Sequence, residues 1–536
     1  MSDHALTGSL DSSASLTQGG AIARRPRQVA SRPVRLWGLL AGLLVLAGVA
    51  IGRGYGLPVA ALLAICAAVA IGLHNWRWSV YALLVYLPFS GIPSILAYPH
   101  TAVPVLAKDF LFVLPAYLGF AAYVLGRRSQ VVFDGAPLGL FALLVLLVLG
   151  QALNPSLPNH LVGLIGVKIW LFYIPLYFLG YHLVEGRKDL FRLLGILSLA
   201  AIIPAAIGIV EAVFIYSGRA GQVYHYYGNA AAAVTQNFAE LGYQGGGSLR
   251  RVPSTFTYGA QYYSFAASMV AISYAWWRGV LGRRSHVGAA VWLAMLAAVF
   301  LSGARAAFLL VPLLVVLIVL FDGGLRGLSS SRVLAPIGGF LLAVALAGGA
   351  GVSVARQTLG TAEQELQGIF VEGFSKALAT TWTGLGTGID SSGSRYAFSN
   401  PKLFQAVGGT WYESWYVKVV LELGIVGLVL VALLFASIIG RGLRDHAVLR
   451  DPRLKAISAA ILAFLVWNLV GALKGQYLDF DPINVYVWLL AGVLAKIPAL
   501  DREASSEPAR VPDRRSPPRT ALGAARPGAL EEAGGR

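Results

Sequence analysis

The residues with the most chemistry to offer are three arginines and a glutamate. Arg250 and Arg251 end a long polar segment, Arg305 sits in the turn Leu-Ser-Gly-Ala-Arg-Ala-Ala-Phe, and Glu413 lies in Thr410-Trp411-Tyr412-Glu413-Ser414-Trp415-Tyr416. A guanidinium holds phosphate oxygens through two parallel hydrogen bonds. A carboxylate among aromatic rings gains basicity and can take a proton from a hydroxyl. Arg251, Arg305 and Glu413 are therefore the candidate catalytic residues. Arg250, Tyr258, Trp411, Tyr412, Lys418 and Arg395 are the candidate substrate-binding residues around them. Plainer roles suit the same positions. Arginine snorkels to lipid head groups, tryptophan and tyrosine anchor at a membrane interface, and an acid is favourable at a helix N-terminus.

The elements that must position these groups are apolar. Of the 536 residues, 57% are hydrophobic and only 12% charged, with mean hydropathy +0.68. Soluble domains carry roughly 25% charged residues, so a soluble enzyme is excluded, as are disordered and collagen-like chains. The runs Leu140–Gly150 and Val311–Phe321 are long and free of charge, unlike the alternating strands of an outer-membrane barrel. The expected fold is all-α, a polytopic transmembrane helical bundle of about 14 spans. These fall near 35–52, 57–74, 78–97, 105–125, 136–152, 163–183, 189–216, 255–277, 287–302, 304–321, 333–352, 411–440, 456–473 and 482–497. Residues 1–34 and 501–536 read as disordered basic tails flanking a 35–500 membrane domain. The single cysteine, Cys66, excludes an internal disulfide and a cysteine metal site.

The net charge of +17 is mostly a topology signal. With both termini in the cytoplasm, the basic residues gather on one side: Arg77, Arg127–Arg128, Arg187–Lys188, Arg278, Arg283–Arg284, Arg326, Arg332 and the cluster from Arg441 to Lys455. Nucleic acid is not an expected partner. Two outer segments, 217–254 and 353–410, exceed ordinary loop length and are rich in aromatics, amides and arginine. A helix over 362–379 is expected within the second. Lys108–Asp109, Lys168 and Glu211 lie near outer ends of spans, where charged groups face the bundle interior. Lys418 and Glu422 are four residues apart and can pair, whereas Glu413 and Glu422 point to opposite faces. Asp479-Phe480-Asp481 is a weak metal pair, and Gly384-Leu385-Gly386-Thr387-Gly388 follows no strand, as a nucleotide loop would. Neither a metal nor a cofactor is expected.

At these residues the sequence resembles the O-antigen ligase and O-antigen polymerase superfamily. Arg251-Val252-Pro253-Ser254-Thr255-Phe256 resembles its Arg-x-x-Gly-Thr-Phe start of a span. Leu301-Ser302-Gly303-Ala304-Arg305-Ala306 resembles its Ser-Arg-Gly turn, and Glu413-Ser414 through Glu422-Leu423-Gly424-Ile425-Val426-Gly427 its His-Asn…Glu-x-Gly-x-x-Gly helix. Gly384–Gly388 resembles the family's Gly-x-Gly segment. Two positions depart: Glu413 stands where ligases of lipid A core carry His, and Ser254 replaces a Gly. The resemblance covers about residues 160–500. It implies a bacterial inner-membrane glycosyltransferase for surface polysaccharide, acting on the outer face. The implied donor is an undecaprenyl-diphosphate-linked oligosaccharide and the acceptor a growing glycan, with membrane lipid around the site and a chain-length regulator as a further partner. Substitution at the anomeric carbon is inverting, with Arg251 and Arg305 on the leaving diphosphate and Glu413 as base. A ligase onto a lipid or protein acceptor, and a transporter or flippase of lipid-linked glycan, are the alternatives.

Overall fold

The computed structural model describes residues 56–97, 102–127, 136–226, 251–323, 367–391 and 412–506, with short pieces at 240–241, 249–250, 360, 393–394 and 405–409. The expected spans 35–52 and 333–352 and the 1–34 tail lie outside them. Backbone contacts divide the chain into two units, residues 1–66 and 67–536. The described part of the first is the beginning of helix α1 (Gly56–His74), with Cys66 exposed and free. All that follows concerns the second unit.

The described residues are helical almost throughout, and the one extended pairing among them is a two-residue antiparallel rung, β1 (Glu240–Leu241) against β2 (Leu249–Arg250). Six helical segments are long and apolar enough to cross a membrane: Pro104–Gly126, His160–Leu183, Arg187–Val223, Trp415–Val448, Pro452–Gly471 and Ile483–Glu503. Shorter apolar helices run at Val59–His74, Leu138–Ala152, His286–Leu301 and Ala307–Gly323.

In chain order after α1 come α2 (Trp76–Tyr86), α3 (Gly91–Leu96), α4 (Ala102–Lys108) and α5 (Leu114–Arg127). Then follow α6 (Leu138–Ala152), α7 (His160–Leu171), α8 (Leu176–Leu183), α9 (Arg187–Phe214) and α10 (Ala220–Tyr226). The remainder are α11 (Gly259–Ala275), α12 (His286–Leu301), α13 (Ala307–Gly323), α14 (Phe374–Thr380), α15 (Trp415–Val448), α16 (Pro452–Gly471) and α17 (Ile483–Ser506).

Local chemistry sets many of the boundaries. Asn75, Asn159, Ser285 and Asp451 each accept a backbone N–H of the first turn of α2, α7, α12 and α16, which satisfies a donor the helix itself leaves open. Several expected spans carry local irregularities. Pro88 sits in a 3-10 turn at Leu87–Phe89 after α2, and a π-helical turn at Asp109–Val113 joins α4 to α5. The span expected over 163–183 lies within the single helical segment His160–Leu183, whose turns at Phe172–Pro175 separate α7 from α8 because Pro175 has no N–H to continue α7. α17 extends to Ser506, into the segment expected as a tail. The helix expected over 362–379 is described as a π-helical turn at Gly368–Gly373 running into α14.

α11 is the central helix. Every residue of it but Ala260 is buried, as suits a helix apolar on all sides. Its serines return their hydroxyls to their own helix: Ser264 Oγ to Gln261 O at 3.0 Å and Ser268 Oγ to Ser264 O at 2.8 Å. The helix therefore satisfies these serine hydroxyls without water, and its N-terminal end carries Tyr258 and the Arg251 segment.

Candidate functional site

The Arg251 segment is held by backbone and by one buried acid. Val252 N–H donates to Ser302 O at 3.0 Å, which fastens this segment to the Arg305 turn. Ser254 has φ of +51°, a region glycine enters freely and a side chain enters at a cost of about 1–2 kcal/mol. Two bonds offset that cost: Ser254 N–H donates to Glu211 Oε2 at 2.8 Å and Ser254 Oγ to Pro204 O at 2.7 Å. Ser254 thus keeps the glycine-type backbone of the motif it departs from, and Glu211 becomes its anchor. The Arg251 stem lies over Gly259, where an added Cβ would stand 2.5 Å from Arg251 Cβ. Arg251 Nε is buried, and among the described residues no acceptor reaches it. Arg305 is half-buried in its turn. Arg250 is described through its backbone, opposite Glu240 in the rung.

Glu413 lies apart from this set. Its side chain is 76% exposed, and it pairs with Lys474 Nζ at 3.4 Å. Tyr412 beside it is half-buried, and burial pushes its hydroxyl above the usual tyrosine value, with Lys376 pulling the other way. Tyr412 O accepts from Gln476 Nε2 at 3.1 Å, and Trp415 N–H donates to Ala472 O at 3.0 Å. Trp411 and Arg395 lie outside the described residues.

What the two sets share is the loop over residues 472–482, between α16 and α17. Beyond its contacts with 412–415, it meets α11: Tyr258 stands edge-on to Phe480 at 5.7 Å, and Gln261 Nε2 donates to Asp481 O at 2.7 Å. The acidic pair expected as a weak metal site has another role. Asp479 Oδ2 takes Lys418 Nζ at 2.5 Å, and Asp481 Oδ2 takes Lys108 Nζ at 3.1 Å. Among the described residues no group of three or more His, Cys, Asp or Glu could hold a metal ion.

Lys418 corrects an expectation. It was a candidate for binding substrate, yet its side chain is 0% exposed. It lies 3.8 Å from Glu422 Oε2 and 4.7 Å from the centre of the Trp170 ring. Glu422, also fully buried, accepts Trp170 Nε1 at 2.6 Å on one oxygen and Asp390 N–H at 3.2 Å on the other. Trp415 Nε1 donates to Asp479 Oδ1 at 2.8 Å. A second cluster surrounds Lys108, whose three ammonium hydrogens are met by Asp109 Oδ1 at 2.7 Å, Tyr173 Oη at 2.5 Å and Asp481. Lys168 closes it on Asp109 Oδ2 at 2.9 Å. Charges taken out of water persist when they are paired with an opposite charge, as each lysine is here.

The glycine-rich stretch is neither a nucleotide loop nor an ordinary surface loop. α15 is interrupted at Gly424, with φ 72° and ψ −171°, a conformation essentially reserved for glycine. Residues 382–385 insert at the break and supply the missing bonds. Leu385 N–H donates to Leu421 O at 2.7 Å and Ile425 N–H to Trp382 O at 3.0 Å. The approach is backbone to backbone: a Cβ on Gly424 would lie 2.5 Å from Trp382 O, and one on Gly384 would lie 2.7 Å from Glu422 O. Irregular backbone in a membrane is tolerated only where protein buries it. Here Thr387 N–H donates to Gln151 O at 3.3 Å, Thr387 Oγ1 to Gly163 O at 3.2 Å and Asn154 Nδ2 to Gly384 O at 3.1 Å.

A small cleft of about 30 Å³, room for about one water, is walled by Trp170, Trp415, Trp488 and Phe435, with Asp479 and Asn484 as its polar margin. Set against known proteins, the chain matches no family model, and no curated protein matches it.

Proposed function

We propose that this chain is a membrane glycosyltransferase that polymerises or transfers an undecaprenyl-diphosphate-linked oligosaccharide on the outer face of the bacterial cytoplasmic membrane. The resemblance to the O-antigen ligase and polymerase superfamily supplies the reading, together with its about 14 spans and cytoplasmic termini. The observation that carries it is the Val252–Ser302 bond, which draws the Arg251 and Arg305 segments together and leaves a buried Arg251 Nε with no acceptor among the described residues. A guanidinium N–H without an acceptor is suited to an anion that arrives with substrate.

In this reading an acceptor hydroxyl oxygen attacks the anomeric carbon of the donor sugar. The bond from that carbon to the diphosphate oxygen breaks, and configuration inverts. Arg251 and Arg305 meet the charge that grows on the departing diphosphate. Glu413, exposed and loosely paired with Lys474, takes the hydroxyl proton. Arg250, Tyr258, Trp411, Tyr412 and Arg395 belong to the sugar-binding surround, and Lys418 to its support. The donor is already activated, so neither nucleotide nor metal is required.

The test uses purified protein in lipid with undecaprenyl-diphosphate-linked oligosaccharide, wild type beside Arg305→Ala and Glu413→Gln. Longer lipid-linked glycan with released undecaprenyl diphosphate, abolished by both substitutions, supports a polymerase. Release only on adding a separate acceptor supports a ligase. An unchanged product from Arg305→Ala and Glu413→Gln sinks the assignment of both residues. The break in α15 at Gly424 favours one other reading, a transporter of lipid-linked glycan, since transporters place broken helices at their binding sites. Donor binding without turnover would favour it.

A further inference from the structure

We infer that Lys108 and Lys418 are positioning residues, which clamp the 472–482 loop from two sides and hold it in the register that meets both the Arg251 segment and the Glu413 segment. Asp479 and Asp481 are two apart, and each reaches a different lysine on a different helix: Lys418 on α15 at 2.5 Å and Lys108 on α4 at 3.1 Å. Both lysines are almost wholly buried, at 0% and 1% exposure. Each is tied down by its own helix neighbours, Lys418 by Glu422 and Lys108 by Asp109. The lysines are thus fixed first, and the loop is fixed to them.

The residues between and beside the aspartates make the loop's working contacts. Phe480 meets Tyr258 and Asp481 O meets Gln261, on the arginine side. Gln476 and Lys474 meet Tyr412 and Glu413, on the glutamate side. A buried ion pair contributes little net stability over an apolar substitute, and register is its best-attested use. Two such pairs, on residues two apart, set both the position and the rotation of Phe480, which leaves the 3-10 turn Tyr477–Asp479 in an extended conformation.

The experiment reads loop position without reference to chemistry. Leu473→Cys is placed in a Cys66→Ser background in the full chain, reconstituted in nanodiscs, and the rate of maleimide labelling is followed. Lys418→Met and Asp479→Asn are each expected to raise that rate about tenfold, and the double substitution to raise it no further, because both remove one interaction. Asp481→Asn, which keeps the side chain's size, is expected to act in the same direction and guards against loss of folding in the lysine variants. Rates within about twofold of wild type for all of these, or single effects that multiply in the double variant, overturn the inference. The effect on turnover rests on the glycan-transfer reading: there Lys418→Met is expected to lower kcat with KM for donor unchanged. If the wild type turns over no lipid-linked glycan while the labelling pattern holds, that reading falls and the clamp stands.

Discussion

The two ends of α16 use acidic residues in opposite ways. At its Pro452 end the connection from α15 is three residues long, and the acids there serve the backbone. Asp501 accepts the N–H groups of Arg450 and Asp451, both at 3.0 Å. Asp451 accepts Arg453 N–H at 2.7 Å and pairs with Arg187 at 2.6 Å. At the Gly471 end the connection is eleven residues, 472–482, and its acids ignore the helix ends and reach for buried lysines. Capping an end needs only a local acceptor. Holding a long loop against two other segments needs partners from distant helices. The same residue type therefore marks a simple turn at one end and a built platform at the other.

Substitutions can break that contrast, and the largest effect belongs to the platform. Lys418→Met leaves Asp479 and Glu422 buried without their cation. A loss of about 3–5 kcal/mol is expected, read by thermal unfolding in detergent, with Lys418→Met/Asp479→Asn recovering part of it. Gly424→Ala should come next. Its Cβ meets Trp382 O at 2.5 Å and its φ of 72° is strained for alanine, so about 2–4 kcal/mol is expected from strain and overpacking combined. Proteolysis of the 381–391 segment, slow in the wild type, should become fast in this variant. If it stays slow, the insertion is not what fills the break in α15.

Asp501→Ala tests the plain end of α16. Two backbone N–H groups lose an acceptor, for a cost of about 1–3 kcal/mol, with no change in labelling at the Leu473→Cys position. A change there would mean that the two ends are coupled. The smallest effect is expected from Ser254→Gly. Glycine relieves the positive φ, but the bond from Ser254 Oγ to Pro204 O is lost. These contributions oppose each other at about 1 kcal/mol each, so the melting temperature should barely move. A large loss would show that the Ser254 side chain, and not the backbone shape, holds the Arg251 segment.

Much of the fold was legible because apolar runs of helical length leave a membrane protein few choices. The Lys418–Glu422 pair was legible too, since four residues is one helical turn. The breaks were less so. Pro88 interrupts a span that hydropathy alone draws as continuous, and Pro175 puts turns inside another. The roles of Asp479 and Asp481 were hidden for a different reason: Lys418 is 61 residues from Asp479, and no local pattern links them. Lys418 itself read as a substrate-binding candidate because sequence position near Trp411 and Tyr412 says nothing of burial. Arg251 and Arg305 stand out in the sequence by charge sign and position. The link between their segments does not, since the Val252–Ser302 bond is backbone to backbone.

The Gly384–Gly424 approach carries a consequence for how this chain can vary. The contact is written in missing side chains, so nothing about either residue announces the other. A scan that swaps chemistry at one position, seeking compensation at the second, will find none, because every side chain larger than hydrogen is refused at both. The two positions are bound by mutual exclusion, and any chain that threads this crossing must keep both glycines or give up the crossing.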